Sequence, residues 1–261
     1  MATTATLQPA LPADIRLMNA TAAVLAALGV LALVATGLLW FVRQPVFALH
    51  TIRVEGDLTH NSALTIRANA APRMAGNFFT MDLAATRRAF ESVPWVRHAT
   101  VRRVWPDRLA VKLEEHRVAA LWNPDTGGEG LVNTFGEVFE ANLGDVEDEV
   151  LPRLSGPAGS AARVLAMWHV LEPVLQPLGS PLESLLLNGH GTWRARLANG
   201  VAIELGRGEP EALAARAARF VRTLPQVSVA FQRPLLAADL RHADGYAVRL
   251  KGVTTTNGSR N

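Results

Sequence analysis

Polar and apolar positions follow three regimes along this chain. Residues 20–42, ATAAVLAALGVLALVATGLLWFV, carry no charged side chain. As a helix of ~1.5 Å rise per residue they reach about 34 Å, enough for the ~30 Å hydrocarbon layer of a bilayer. A buried core helix of that length would need wrapping on every side, so a membrane span is expected. A secretory signal has a shorter apolar part and a small-x-small cleavage site behind it. Here Arg43-Gln44-Pro45-Val46-Phe47 follows, and an uncleaved anchor is expected. Trp40 and Phe41 stand at one end, where aromatic rings suit the interface. Asp14 partly offsets Arg16 before the run and Arg43 follows it, so charge counting barely selects an orientation. The expected arrangement has a tail of residues 1–19 inside and the main chain outside. Residues 1–12, rich in Ala, Thr and Pro, are expected to be disordered.

The period then changes to two. Ile52 and Val54 alternate with Thr51, Arg53 and Glu55 before Gly56-Asp57, which reads as a strand with one wet face. A short helix is expected over 62–68 with Asn61 as its cap, and a longer one from Asp82. The latter sets Leu83, Thr86, Phe90 and Val93 on one side, and Pro94 closes it. Residues 94–115, PWVRHATVRRVWPDRLAVKLEE, hold five basic side chains besides His98, yet they alternate. Ala99, Val101 and Arg103 share one strand face, and Leu109, Val111 and Leu113 share another across a turn at 105–108. The basic residues mostly take solvent positions of a hairpin, and Glu114 and Glu115 dilute their field. From 47 to about 116 the order strand, helix, helix, strand, strand predicts an α+β unit. Its three-stranded sheet is covered on one face by two helices.

A second, mainly β domain is expected over 117–252, with two packed helices. Residues 119–123 read as a strand, and 131–139 as two short strands across a Phe135-Gly136 bend. A helix over 158–174 presents Val164, Leu165, Trp168 and Leu171. Residues 193–205 read as a hairpin whose Asn199-Gly200 pair suits a type I′ turn. Pro210 opens a further helix with Leu213, Ala217, Phe220, Val221 and Leu224 as its stripe. Residues 238–251 form a final strand pair with Asp244-Gly245 at its turn, and a loose polar tail, 253–261, follows.

Composition narrows the chemistry. The formal net charge is +3 on 26 basic and 23 acidic residues. That balance lacks the concentrated positive charge of a nucleic-acid surface, and no nucleic-acid partner is expected. There is no cysteine, which excludes disulfides, thiolate metal sites and cysteine nucleophiles. None of the seven histidines completes a zinc-protease motif, Gly206-Arg207-Gly208-Glu209 is not a phosphate loop, and GxSxG is missing. Asp145-Val146-Glu147-Asp148-Glu149 lacks calcium-loop spacing and its mid-loop glycine. No catalytic, cofactor-binding or metal site is expected, and the chain is read as a non-enzyme.

The order of parts resembles the FtsQ/DivIB family of bacterial cell-division proteins. The resemblance is carried chiefly by residues 94–122, PWVRHATVRRVWPDRLAVKLEEHRVAALW. It is also carried by FALHTIRVEG (47–56), LVNTFGEVF (131–139) and DLRHADGYAVRL (239–250). It implies a single transmembrane helix, an α+β POTRA domain at 47–116 and a β domain at 117–252. It further implies an inner-membrane protein with a cytoplasmic amino terminus and periplasmic domains, acting at the division septum as a scaffold. The implied partners are FtsB and FtsL, with FtsK among the earlier components, and inner-membrane lipid. The resemblance also implies that FtsB is captured by strand addition to the last strand. The residues so implied are Arg241, His242, Asp244, Gly245, Tyr246, Val248 and Leu250. Where the family often has aromatics at 242 and 250, this chain has His242 and Leu250, and Tyr246 is the ring available. Tyr246, Val248 and Leu250 share one face of a strand with little chain after it to cover its edge. A POTRA-type chaperone for secreted or outer-membrane polypeptides is the alternative. The roughly 140 residues after the hairpin do not offer the repeated amphipathic strands of a membrane barrel.

Overall fold

The computed structural model describes residues 13–56, 58–70, 76–242 and 245–252. Helix α1, Ala13–Val42, contains the whole uncharged run. Its stretch Leu17–Val42 is long and apolar enough to cross a membrane. Leu25, Leu31, Val34, Leu38 and Trp40 are all exposed along it, as expected of a helix surrounded by lipid. The expected tails at 1–12 and 253–261 lie outside the described residues.

Contacts divide the described residues into two units. The first draws on Met1–Asp57, Ser62–Val93 and His98–Leu113, and the second on Leu58–Asn61, Pro94–Arg97 and Glu114–Asn261. In the first, β1 (Thr51–Glu55), β2 (Val96–Val104) and β3 (Arg108–Glu115) form a sheet of order β1-β3-β2. Strand β1 runs parallel to β3, from Thr51 opposite Arg108 to Glu55 opposite Lys112. In β3 the expected face of Leu109, Val111 and Leu113 is buried and Lys112 is exposed, although Ala110 is buried as well. In β2 Ala99 is buried, but Arg103, expected on its face, is exposed like Arg102 and donates to the Met81 carbonyl. Helix α2 (Ala63–Ala70) buries Ile66, and α3 (Leu83–Glu91) buries Thr86, Ala89 and Phe90. Asp82 caps α3 through its carboxylate, which accepts the N–H groups of Ala84 at 2.8 Å and Ala85 at 3.1 Å. Those two bonds hold the Asp82 carboxyl below its usual range. The cap expected at Asn61 is instead Ser62, whose hydroxyl accepts the Thr65 N–H at 3.1 Å. Asn61 is buried and donates to the Pro94 carbonyl. At Gly56 the backbone has φ +144°, and a Cβ there would lie 2.3 Å from the Leu113 carbonyl oxygen, so only glycine fits.

The second unit is a nine-stranded sheet of order β12-β11-β10-β9-β8-β7-β4-β5-β6. Its strands are β4 (Val118–Pro124), β5 (Gly130–Asn133), β6 (Val138–Phe139), β7 (Arg153–Gly156) and β8 (Leu182–Leu187). They continue with β9 (Trp193–Leu197), β10 (Ala202–Gly206), β11 (Leu235–Asp239) and β12 (Ala247–Leu250). Helix α4 (Ala161–Leu175) links the parallel pair β7–β8, and α5 (Pro210–Phe231) links the parallel pair β10–β11. A parallel pair needs such a crossover. Leu185, Ala195, Ile203 and Ala238 stand in register across β8 to β11. They share one core with Val164, Leu165, Trp168 and Leu171 of α4 and Leu213, Ala217 and Phe220 of α5. One residue along each strand, Arg194, Glu204 and Asp239 align on the opposite face.

Two local expectations change. The hairpin at Asn199-Gly200 is not a type I′ turn, which requires positive φ at both residues. Gly200 alone has it, at +86°. The Gly200 N–H donates to the Leu197 carbonyl at 2.8 Å and the Leu197 N–H to the Val201 carbonyl at 2.9 Å. The loop is therefore a three-residue turn with glycine at the bulge. Its geometry follows from Ala198 and Asn199, which are held by Pro181 and Ser180. Helix α4 starts at 161 rather than 158, because the Ser160 N–H and hydroxyl both return to the Pro157 carbonyl and close a separate turn first.

Candidate functional site

The last strand lies at one end of the nine-stranded sheet. Strand β12 pairs antiparallel with β11: Leu250 opposes Leu235, Arg249 opposes Ala237, Val248 opposes Ala238 and Ala247 opposes Asp239. Among the described residues no strand pairs with its outer side. Just beyond the strand, the Lys251 N–H donates to the Pro234 carbonyl at 2.9 Å. Main-chain groups alternate in direction along a strand. Arg249 and Ala247 therefore turn theirs toward β11, and Val248 and Leu250 turn theirs to the open edge.

The side chains divide differently. Tyr246 and Val248 pack against the core and Leu250 is buried. The Tyr246 ring meets Phe220 of α5 edge-on, 5.0 Å between centroids, and its hydroxyl bonds the Thr223 hydroxyl at 2.7 Å. All three apolar residues share a face, as their spacing implies, but that face is turned to α5. Ala247 and Arg249 are exposed on the other face. Arg249 heads a row that passes through Ala237, Ala202, Arg196 and Ser184 to Arg153. Arg153, Arg196 and Arg249 have no ion pair among the described residues. In the neighbouring row, Arg194 pairs with Glu204 and Asp239 with Arg241. Nothing in the sequence pattern singles out the arginine row, because it exists only once six strands are in register.

Arg241 and His242 lie in the segment that leaves β11. The Arg241 guanidinium grips Asp239 in a fork, Nε to Oδ1 at 2.9 Å and a terminal nitrogen to Oδ2 at 2.5 Å, and its N–H adds a further bond. That side-chain bond, with the backbone bond and the charge beside it, holds the Asp239 carboxyl down to about 2. The same pairing raises Arg241. His242 and Gly245 are exposed, and Asp244 lies outside the described residues. Of the seven residues singled out by sequence, three are turned into the fold beneath the strand. Three line its approach.

A second polar cluster lies elsewhere in the same unit. Arg97 bridges Glu114 and Glu137, each at 2.7 Å, and lies 3.8 Å over the Phe135 ring. Bonds from Arg97 and Asn133 pull the Glu137 carboxyl down to about 2. Asn133 is fully buried, and its Oδ1 accepts the Phe135 and Glu137 N–H groups. This fixes its Nδ2 as donor to His116 Nδ1 at 2.9 Å. His116 is stacked on Phe139, and burial lowers its pKa. Trp95, at φ +70°, stacks on His60 and donates to Asp145. The acidic run 145–149 is thus partly structural, and no metal-binding group of three or more ligands occurs among the described residues. Arg97, Asn133, Glu137 and Trp95 each have a structural partner, whereas His60 Nδ1 is buried without a hydrogen bond among the described residues, 3.6 Å from the Glu115 carboxylate.

Two family models match. Residues 47–116 match the POTRA domain, FtsQ-type, and residues 120–241 match the C-terminal part of the cell division protein FtsQ/DivIB. The second match ends at Arg241, before β12. Among curated relatives, the cell division protein FtsQ of Burkholderia pseudomallei is 41% identical over 241 residues, covering 92% of this chain and 94% of its own. The FtsQ of Bordetella pertussis is 41% identical over 255 residues, with 91% and 92% covered. That of Thiomonas arsenitoxydans is 38% identical over 244 residues, with 93% and 90% covered. The α+β first unit and the mainly β second unit with two packed helices have the architecture that such a match requires. With one helix among the described residues long and apolar enough to span a membrane, the chain is a single-pass inner-membrane protein and a non-enzymatic divisome scaffold, and it belongs to the FtsQ/DivIB family of cell-division proteins.

Proposed function

We propose that this scaffold recruits the FtsB–FtsL complex by strand addition at β12, and so joins it to earlier division proteins, FtsK among them. The observation that carries this reading is the outer side of β12, unpaired among the described residues, with the Val248 and Leu250 main-chain groups directed at it. An added strand would satisfy them as β11 satisfies the inner side. The exposed arginine row from Arg249 to Arg196 favours a partner strand with an acidic side chain on that face. Arg241, His242, Asp244 and Gly245 would line the approach, while Tyr246, Val248 and Leu250 would hold the strand in place from beneath. The amino terminus is cytoplasmic in this reading, and a POTRA domain at 47–116 and a β domain at 117–252 are periplasmic and gather at the septum.

Photocrosslinking in growing cells tests it, with a benzophenone amino acid at Ala247 or Arg249 and a control at Arg87 of α3. The expected product at 247 and 249 is a single adduct with FtsB, absent at 87. A spread of outer-membrane polypeptides would favour the chaperone instead. A lack of adducts at both edge positions would mean that this edge is not the recruiting surface.

A further inference from the structure

Trp105, at the tip of the β2–β3 hairpin, is 78% exposed, an unfavourable setting for an indole that nothing covers. Its surroundings suggest what does cover it. The turn that holds it lies beside the chain leaving the anchor: the His50 N–H donates to the Asp107 carbonyl at 3.1 Å, and the His50 ring lies 3.4 Å from the Asp107 carboxylate. Strands β1 and β3 start level, Thr51 opposite Arg108. The end of the sheet that carries Trp105 is therefore the end at which the chain arrives from α1.

That arrival is folded and tightly held. A 3-10 turn, Pro45–Phe47, brings the Phe47 ring to 5.3 Å from Phe41, the penultimate residue of α1. Phe79 follows at 4.9 Å from Phe47, and Phe78 at 5.2 Å from Phe79. The Phe78 N–H donates to the Phe47 carbonyl at 2.9 Å. Asn77 Nδ2 donates to the Val42 carbonyl at 2.7 Å, one of those that a helix end leaves unsatisfied. The first unit is thus bonded directly to the end of its anchor. Two ring-to-ring steps lead from Phe41 to Phe79, a reach comparable to the roughly 5–8 Å of headgroup layer outside the hydrocarbon. On this surface Val46 is 76% and Phe79 47% exposed, and Arg43 is exposed as well. An aromatic-rich surface with a cation, continuous with a membrane span, has the composition of an interfacial belt.

We propose that Val46, Phe79 and Trp105, with Arg43, form a surface that seats the first unit on the headgroup layer of the bilayer crossed by α1. The continuity with the span selects lipid over a protein partner. Lipid is within reach of these side chains at all times, whereas a protein must arrive by diffusion and displace it. The first unit is then held on the membrane in one orientation, with its exposed helix α3 residues in water.

The chain has no cysteine, so single-site spin labels can be placed without background. The full chain would be reconstituted in vesicles of phosphatidylethanolamine and phosphatidylglycerol. Labels at Val46→Cys, Phe79→Cys and Trp105→Cys would be compared with Arg87→Cys and Leu31→Cys by their collisions with oxygen and with a water-soluble nickel chelate. The expected result is oxygen-dominated relaxation at 46, 79 and 105, nickel-dominated at 87, and the deepest reading at 31. All five positions are exposed, so labelling does not disturb a core. If 31 reads deep while 79 and 105 read as wet as 87, the seating surface is refuted and the span stands. A wet reading at 31 removes the span, and the proposal, which rests on it, falls too. A wet reading at 105 alone also counts against the surface as stated.

Discussion

Strand addition at β12 makes a sharp demand on two adjacent main-chain positions. Proline at 248 removes an N–H that points to the open edge, while proline at 249 removes one that bonds to β11. The chain should tolerate the first, because an edge strand accepts proline where its N–H faces outward. Val248 is only half-buried, so its lost packing should cost no more than about 1 kcal/mol. Its effect on partner capture should be larger. One lost hydrogen bond of ~0.5–1.5 kcal/mol weakens binding about 2- to 13-fold, and the proline ring also occupies the space of the incoming carbonyl. Arg249→Pro should do the reverse, opening the β11–β12 ladder before any partner is added. Hydrogen exchange of the full chain in detergent would report β11–β12 protection, and titration with purified FtsB–FtsL would report affinity. Undiminished binding by Val248→Pro, or equal loss of β11–β12 protection in both variants, would refute the assigned direction of the edge.

Three further outcomes follow from the second unit. Gly136 has φ +81° and a Cβ would lie 2.6 Å from Ala162 Cα; Gly136→Ala should therefore destabilise by at least ~2 kcal/mol, seen as faster exchange in β5, β6 and α4. Phe220→Ala should cost about 3–5 kcal/mol and release the Tyr246 ring, so that exchange in β12 rises along with that in α5. His116 has a lowered pKa from burial, so the unfolded chain binds its proton more readily. Its contribution is fully present above the unfolded value of about 6.5 and declines as pH falls below it. An NMR titration should place its midpoint below 6.5, and a midpoint at or above that value would contradict the neutral ring accepting from Asn133.

The sequence carried much of this architecture because most of it is periodic. Asp82 before Leu83, Thr86 and Phe90 was enough to place α3 and its cap, and the alternation through residues 96–115 placed the hairpin. Asn61 and Ser62 are both good caps, and only the long-range bonds of Asn61 to Pro94 and Glu115 decide between them. Asn199-Gly200 likewise fits two loop types, and contacts from Ser180 and Pro181 select one. At the candidate edge, the spacing of Tyr246, Val248 and Leu250 groups them on one face but is silent on its direction. The inward answer depends on Phe220 and Thr223 of α5, more than twenty residues from Tyr246 in sequence. The arginine row and the Asn133–His116 bond required tertiary register, and left no local pattern to read.

The opposed roles of side chain and main chain in β12 have an evolutionary consequence. Residues 246, 248 and 250 answer to the interior, where shape is constrained, while the groups offered at the edge belong to the peptide backbone and are the same for nearly any residue. A surface built that way can keep its geometry as its exterior sequence drifts. A partner can drift with it so long as neither strand gains a proline at an outward-facing position. Under the proposed strand addition, Arg249 and Ala247 are the places where lineages are free to adjust pairing preference without rebuilding the domain.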